Sequence, residues 1–243
     1  MQLDSIDLLL RPRVMWEGCD LGVRLLQSWL RSVFSTYLVV AVPLFVLFVA
    51  AYDIAGWLPA VLIWMSKPWL DRTILFALSR ALFGSPTAPM DVWQAQREVW
   101  WSQVLQTLTL RRLSASRSFT QPIMQLERLA GPPRRSRVKQ LATRHRGVAR
   151  AMTQAFAVAE FALMISLFSL KLWLVPHAET LNGSGLLAGL GNGQGLELTI
   201  AYAAAVLFVE PFYVAAGFGM YLNRRVELEA WDIEQEFRRA FAV

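Results

Sequence analysis

The sequence predicts an all-α, polytopic membrane protein with about four transmembrane helices and additional amphipathic surface helices. Three observations carry that fold class. Hydrophobic residues make up 55% of the chain and charged residues only 17%, against roughly 45–50% and 25% in ordinary globular domains. Residues 32–51 contain no Asp, Glu, Lys or Arg, and residues 161–170 and 183–196 are also free of them. About 20 apolar residues at 1.5 Å each cross a hydrocarbon core of roughly 30 Å, so the first run spans a bilayer alone. Basic residues are unevenly placed: residues 111–150 hold eleven Lys or Arg and one acid, Glu127, whereas residues 176–197 hold no Lys or Arg. Under the positive-inside rule this asymmetry sets orientation, with both termini cytoplasmic in a bacterial inner membrane.

Residues 1–31 carry Arg11, Arg13, Arg24 and Arg31, and place Leu21, Leu25, Trp29 and Val33 at helical spacing, which predicts a cytoplasmic amphipathic segment. Residues 32–67 hold the first two spans. The apolar run of the first begins too late and is too long for a signal peptide, and no small-x-small cleavage site follows it. The second is short, and re-entry competes with crossing. Crossing is preferred because the chain must return before the basic segment, with Trp57 and Trp64 as interfacial aromatics. Residues 68–110 read as interfacial and cytoplasmic helices. Pro68 suits a first helical turn, and Leu70, Ile74, Ala77, Leu78 and Ala81 form one face, with Asp71, Arg72 and Arg80 elsewhere. A further helix over residues 90–110 repeats Trp93, Trp100, Trp101, Val104 and Leu108, a stripe that points to packing. Residues 111–150 form a basic cytoplasmic loop with short helical pieces, interrupted at Pro122 and Gly131-Pro132-Pro133. Residues 151–222 hold the third and fourth spans around a Gly-rich extracytoplasmic loop. Residues 223–243 form a charged helix that either covers the protein's own loop or docks a partner.

Catalytic motifs are missing from the chain as read. The two histidines, His145 and His177, make no metal pair, the glycines at 189–195 lack both the GxGxxG spacing and a Gly-Lys-Ser/Thr ending, and Cys19 has no histidine beside it. No enzyme activity and no cofactor are therefore expected. The single Cys19 excludes an intrachain disulfide, and a small buried or interfacial residue is its expected role.

Two carboxylates, Glu160 and Glu210, interrupt the third and fourth spans, where an ionised group costs a few kcal/mol and needs a partner or a proton. They are the intramembrane site candidates, either as a proton or cation site or as protonated carboxyls bonded to Ser166, Tyr202, Tyr213 or a carbonyl freed by Pro211. Ala201-x-x-x-Ala205 and Ala215-x-x-x-Gly219 fit the small-xxx-small pattern of closely packed spans. In the loop, Arg134, Arg135, Arg137, Lys139, Arg144, Arg146 and Arg150 are candidates for contact with anionic lipid head groups. Nucleic acid is not expected, because no aromatic accompanies these charges between residues 120 and 150.

Several phrases together resemble a known family: Leu10-Arg11-Pro12-Arg13 with Trp16-Glu17, Lys67-Pro68-Trp69-Leu70-Asp71-Arg72, Leu78-Ser79-Arg80-Ala81-Leu82-Phe83-Gly84, and Glu210-Pro211-Phe212-Tyr213 through Asn223-Arg224-Arg225 to Glu229-Ala230-Trp231-Asp232. The chain is similar to the N-terminal membrane region of an uncharacterised family of proteobacterial inner-membrane proteins. Its members often carry a further C-terminal domain of unknown function and are encoded near MoxR-type ATPases. The resemblance implies a subunit that assembles with membrane or cytoplasmic proteins, a MoxR-type ATPase system among them. The competing expectation is a small oligomeric transporter or channel using the intramembrane carboxylates, and a homo-oligomer stays open under both.

Overall fold

Helices alone make up the regular structure of the computed structural model, which describes residues 13–101, 116–143, 145–174 and 194–229. In chain order they are α1 (Met15–Ser28), α2 (Leu30–Ala50) with a 3₁₀ turn (Ala51–Asp53), α3 (Leu58–Ala81), α4 (Pro89–Gln94) with a π-helical turn (Arg97–Trp101), α5 (Arg117–Gln125), α6 (Gly131–Ala142), α7 (Arg146–Leu174) and α8 (Gln194–Glu229). Three segments are long and apolar enough to cross a membrane: Leu30–Asp53, Arg146–Leu170 and Gly195–Glu229.

The axis of the molecule is α8, whose 36 residues extend for about 54 Å. From residue 209 to 223 every position except Phe212 is buried. A helix covered on all sides has no need of an apolar stripe, so this stretch is apolar all round apart from Glu210 and Asn223. α3 runs parallel to α8, with Lys67 opposite Glu210 and Phe76 and Ser79 flanking the same crevice as Phe218 and Tyr221. α7 runs antiparallel to it: Thr153 meets Tyr213, while Met164 lies with Leu198 and Tyr202. α2 pairs with α3 as a hairpin.

Glycine contacts set the remaining distances. α1 crosses α8 where Gly18-x-x-x-Gly22 meets Ala215-x-x-x-Gly219. A Cβ on Gly22 would stand 1.9 Å from the Ala215 carbonyl oxygen, and one on Gly219 would stand 2.1 Å from that of Gly18. Backbone therefore rests on backbone, the arrangement that small-xxx-small spacing permits, here used within one chain. The start of α1 is fixed by Asn223, which accepts from the Arg13 N–H at 3.0 Å and donates to its carbonyl at 2.8 Å. Gly217 admits α5 in the same way, since a Cβ there would meet Ser118 Oγ at 2.3 Å.

Four elements differ from the sequence expectation. α3 passes through Pro68 without a break, so the separate surface helix expected from that residue is the second half of α3, and its Asp71 and Arg72 are buried together with its apolar face. Gly131-Pro132-Pro133 starts α6 instead of interrupting a loop, because prolines at the first helical positions forfeit no intrahelical bond. Pro122 lies inside α5. The helix expected over residues 90–110 is α4 followed by the π turn as far as Trp101, and its remainder lies outside the described residues. Trp100 does pack as expected, lying tilted against Trp69 at 5.3 Å and donating to Thr73 Oγ1 at 3.0 Å. Cys19 is buried on α1; desolvation, then the charge of Asp20, pushes its thiol up to about 12, so it stays protonated and inert.

Candidate functional site: a buried chain of charges

Three helices and the start of a fourth bring five ionisable side chains to one level. Lys67 lies in the middle of α3, and its Nζ is 2.6 Å from Glu160 Oε2 on α7 and 2.7 Å from Glu210 Oε2 on α8. Glu210 Oε1 accepts from Arg117 Nη2 at 2.6 Å. Arg117 is the first residue of α5, and its Nε stands 2.9 Å from Asp71 Oδ2, four residues beyond Lys67 and hence on the same face of α3. The order is Glu160, Lys67, Glu210, Arg117, Asp71, an alternation of negative and positive.

Burial decides how much this arrangement matters. Glu210 is 1% exposed, Asp71 0% and Lys67 8%. Each ion withdrawn from water costs several kcal/mol, which attraction offsets only when every charge has a partner in good geometry. Alternation meets that condition for Glu160, Lys67 and Glu210, each within 2.7 Å of an opposite charge, and leaves Asp71 beside the Arg117 Nε without a directed hydrogen bond. The Tyr213 ring lies under the Arg117 guanidinium at 5.3 Å, adding a cation–π contact. Burial opposes the Arg117 charge, but Asp71 and Glu210 outweigh it and hold the guanidinium protonated above the ordinary arginine range. Tyr202 and Tyr37 complete the shell around these groups.

Glu160 and Glu210 were the legible members of this cluster; Lys67, Asp71 and Arg117 are additions from the structure. The partners suggested for the two glutamates are largely different. Ser166 Oγ donates to the Ala162 carbonyl of its own helix, and Tyr213 contacts the cation instead of a glutamate. Glu210, facing two cations, is an acceptor and not the donor that would satisfy a carbonyl near Pro211. The sequence cue to this cation is Lys67 itself, closing an apolar run; the helix does not end there but continues through Pro68.

The basic residues divide into separate sets. Arg137 is half-buried: its Nε donates to Glu127 Oε2 at 2.9 Å, and it also pairs with Glu229. Arg225 Nη2 joins the same Glu229 at 2.5 Å, and Tyr221 donates to Glu127 at 2.8 Å. Arg137 thus ties α6 to the end of α8. Arg135, Lys139, Arg146 and Arg150 are exposed, Arg134 is half-buried and has an interaction of its own, and Arg144 lies outside the described residues. So do His177 and the glycine-rich loop. Among the described residues no group of three or more His, Cys, Asp or Glu is placed to hold a metal ion. Compared with known proteins, the chain matches no family model, no curated protein and no solved structure.

Proposed function

We propose that the protein is a non-enzymatic, four-span subunit of the bacterial inner membrane, with both termini cytoplasmic, that assembles with other membrane or cytoplasmic proteins. The observation that carries the reading is the occluded charge chain, which ties α5, a helix outside the apolar segments, to three helices at once. Such a lock suits a rigid platform. The fourth span is α3, whose buried Lys67 is neutralised by Glu160 and Glu210. Exposed apolar side chains support the same placement: Val46 and Leu47 on α2, Trp57 and Trp64 around the start of α3, Val158 and Phe161 on α7, and Ile200 and Phe208 on α8. They lie at the same end of the up-and-down arrangement, where lipid would cover them.

Depth refines the lipid contacts. Glu210 lies 15 residues from the start of the apolar segment at Gly195, or about 22 Å, which puts the cluster about 8 Å inside the opposite edge of a roughly 30 Å core. Arg150 precedes Glu160 by 10 residues, about 15 Å, and so lies in the head-group zone, with Arg146 a turn further out. Arg137 pairs with Glu229, about 28 Å below the cluster by the same rise, and its charge is already used. Anionic lipid contact is therefore assigned to Arg146 and Arg150 first.

Mild extraction of the full chain from its native membrane should co-purify a stable protein partner in fixed ratio; the family resemblance nominates a MoxR-type ATPase system. Isolation of the chain alone under several mild detergents would count against the platform reading. A transporter reading is favoured by one observation, the excess of carboxylates over cations in the cluster. It requires proton or cation flux in liposomes reconstituted with the purified chain. For topology, cysteines at Gly191, Ser136 and Gln235 in a Cys19-free background should react with an impermeant reagent outside intact cells only at Gly191.

A further inference from the structure

Three carboxylates and two cations leave the buried chain one negative charge in excess. In a medium that supports neither water nor counterions, an unmatched charge is expensive by several kcal/mol, so the cluster needs one more positive charge than its side chains supply. The geometry indicates where that charge resides. Glu160 is contacted by Lys67, and Glu210 accepts from Lys67 and Arg117. Asp71, fully buried, receives no directed hydrogen bond on either oxygen from the described residues; the Arg117 Nε is close but not aligned for one. An ionised carboxylate in such a place ordinarily accepts several bonds. Asp71 and Glu210 share one guanidinium, Asp71 Oδ2 at 2.9 Å from Arg117 Nε and Glu210 Oε1 at 2.6 Å from its Nη2, and two carboxyls crowded onto one cation favour a shared proton.

We propose that the cluster is a binding site for a single proton, carried by Asp71 and hydrogen-bonded to Glu210. With it the chain reads Glu⁻, Lys⁺, Glu⁻, Arg⁺, Asp-H, and the cluster is neutral. Loss of the proton restores the excess charge between α3, α5 and α8. The groups facing Asp71 are Arg117 from α5, Glu210 from α8 and Lys67 from its own helix, with Glu160 of α7 one step further. From α2 comes Tyr37, fully buried, whose hydroxyl has no hydrogen-bond partner among the described residues and which stands within electrostatic range of Glu210, Asp71 and Glu160. A neutral hydroxyl so placed can relay a proton, taking one up as it gives its own, but cannot hold the extra one. The inference rests on the same cluster as the platform reading but needs no partner, so failure to find one leaves it untouched.

Infrared difference spectroscopy on the purified full chain in lipid nanodiscs tests it. The wild type at neutral pH should show the carbonyl stretch of a protonated carboxyl, lowered in D₂O and absent from Asp71→Asn. Glu210→Gln should abolish the band too, because two carboxylates then balance two cations. As pH rises from the ordinary aspartate range the thermal midpoint should fall while the wild-type band persists and level off once the band disappears, whereas Asp71→Asn should lack that slope. A band that survives Asp71→Asn, or a wild type without one, overturns the proposal. A midpoint that rises with sodium but not with choline, and does so only while Asp71 is present, also overturns it, by assigning the missing charge to a metal cation. If Asp71→Asn fails to fold, the Glu210→Gln spectrum and the wild-type pH series decide alone.

Discussion

α7 and α8 are both apolar enough to cross a membrane, yet they occupy opposite situations. Only 11% of the apolar window of α7 is buried inside the protein, against 61% for α8. Mean hydropathy does not separate them, since a lipid-facing helix and a helix enclosed by protein both avoid charge. Side-chain size alone does not either, because α7 leaves Ala151, Ala155, Ala157, Ala159 and Ala162 exposed; what separates the helices is whether their small residues meet a neighbour. α7 presents Val158, Phe161, Ile165 and Leu170 outward, while α8 carries Ala201, Ala203, Ala205, Ala215, Ala216, Gly217 and Gly219 where other helices press upon it. Close backbone approach needs small residues at the contact, and on α8 the alanines and glycines lie where α1 and α5 press on it.

Substitutions at the α1–α8 crossing should sharpen this contrast most. Gly219→Leu forces a side chain into the backbone of Gly18 and Gly22 and should cost more than the usual 1–3 kcal/mol of overpacking, visible as loss of monodisperse protein on size exclusion. Next comes the cluster. Lys67→Met leaves Glu160 and Glu210 without their shared cation and should cost about 3–5 kcal/mol, as when one partner of a buried pair is removed. The extra substitutions Glu160→Gln and Glu210→Gln should recover part of the lost thermal midpoint, and a double-mutant cycle reads the coupling. A smaller effect, about 1 kcal/mol, is expected from Arg137→Gln, which frees α6 from Glu127 and Glu229 in a partly wet site. Arg150→Gln should leave stability unchanged and instead reduce salt-sensitive binding to anionic vesicles over neutral ones. Phe161→Ala, on the open face of α7, should change unfolding in detergent by no more than about 0.5 kcal/mol. A larger loss there would mean that Phe161 packs against protein, a second copy for instance, and that the contrast with α8 is drawn too sharply.

Much of the helical framework was legible because hydropathy and charge bias are properties of short windows. α2 falls where the uncharged run places it, and Glu160 and Glu210 stand out as costly residues inside long apolar helices. Their partners were not legible for a physical reason: Lys67 bonds Glu160, and Arg117 bonds Glu210, each across 93 positions of sequence, a separation no periodicity reports. Asp71 and Arg72 were assigned to a wet face because charges usually are, and Arg117 was absorbed into the basic loop. The α1 glycines, Gly18 and Gly22, carry the same four-residue spacing as Ala215 and Gly219, but lie outside any apolar run, so spacing alone does not pair them.

The two 93-residue separations also have a meaning in time. A chain is synthesised at about 5–20 residues per second, so Lys67 leaves the ribosome roughly 5–19 s before Glu160, and Arg117 leads Glu210 by the same interval. On the four-span reading, α3 reaches the membrane carrying a cation whose counter-charges have not yet been made. Its stable residence there must await α7 and α8. Translation order therefore makes the last helix the one that completes the insertion of the second, and a ribosome stalled before Glu210 should leave α3 accessible to water-soluble reagents that cannot reach it in the finished protein.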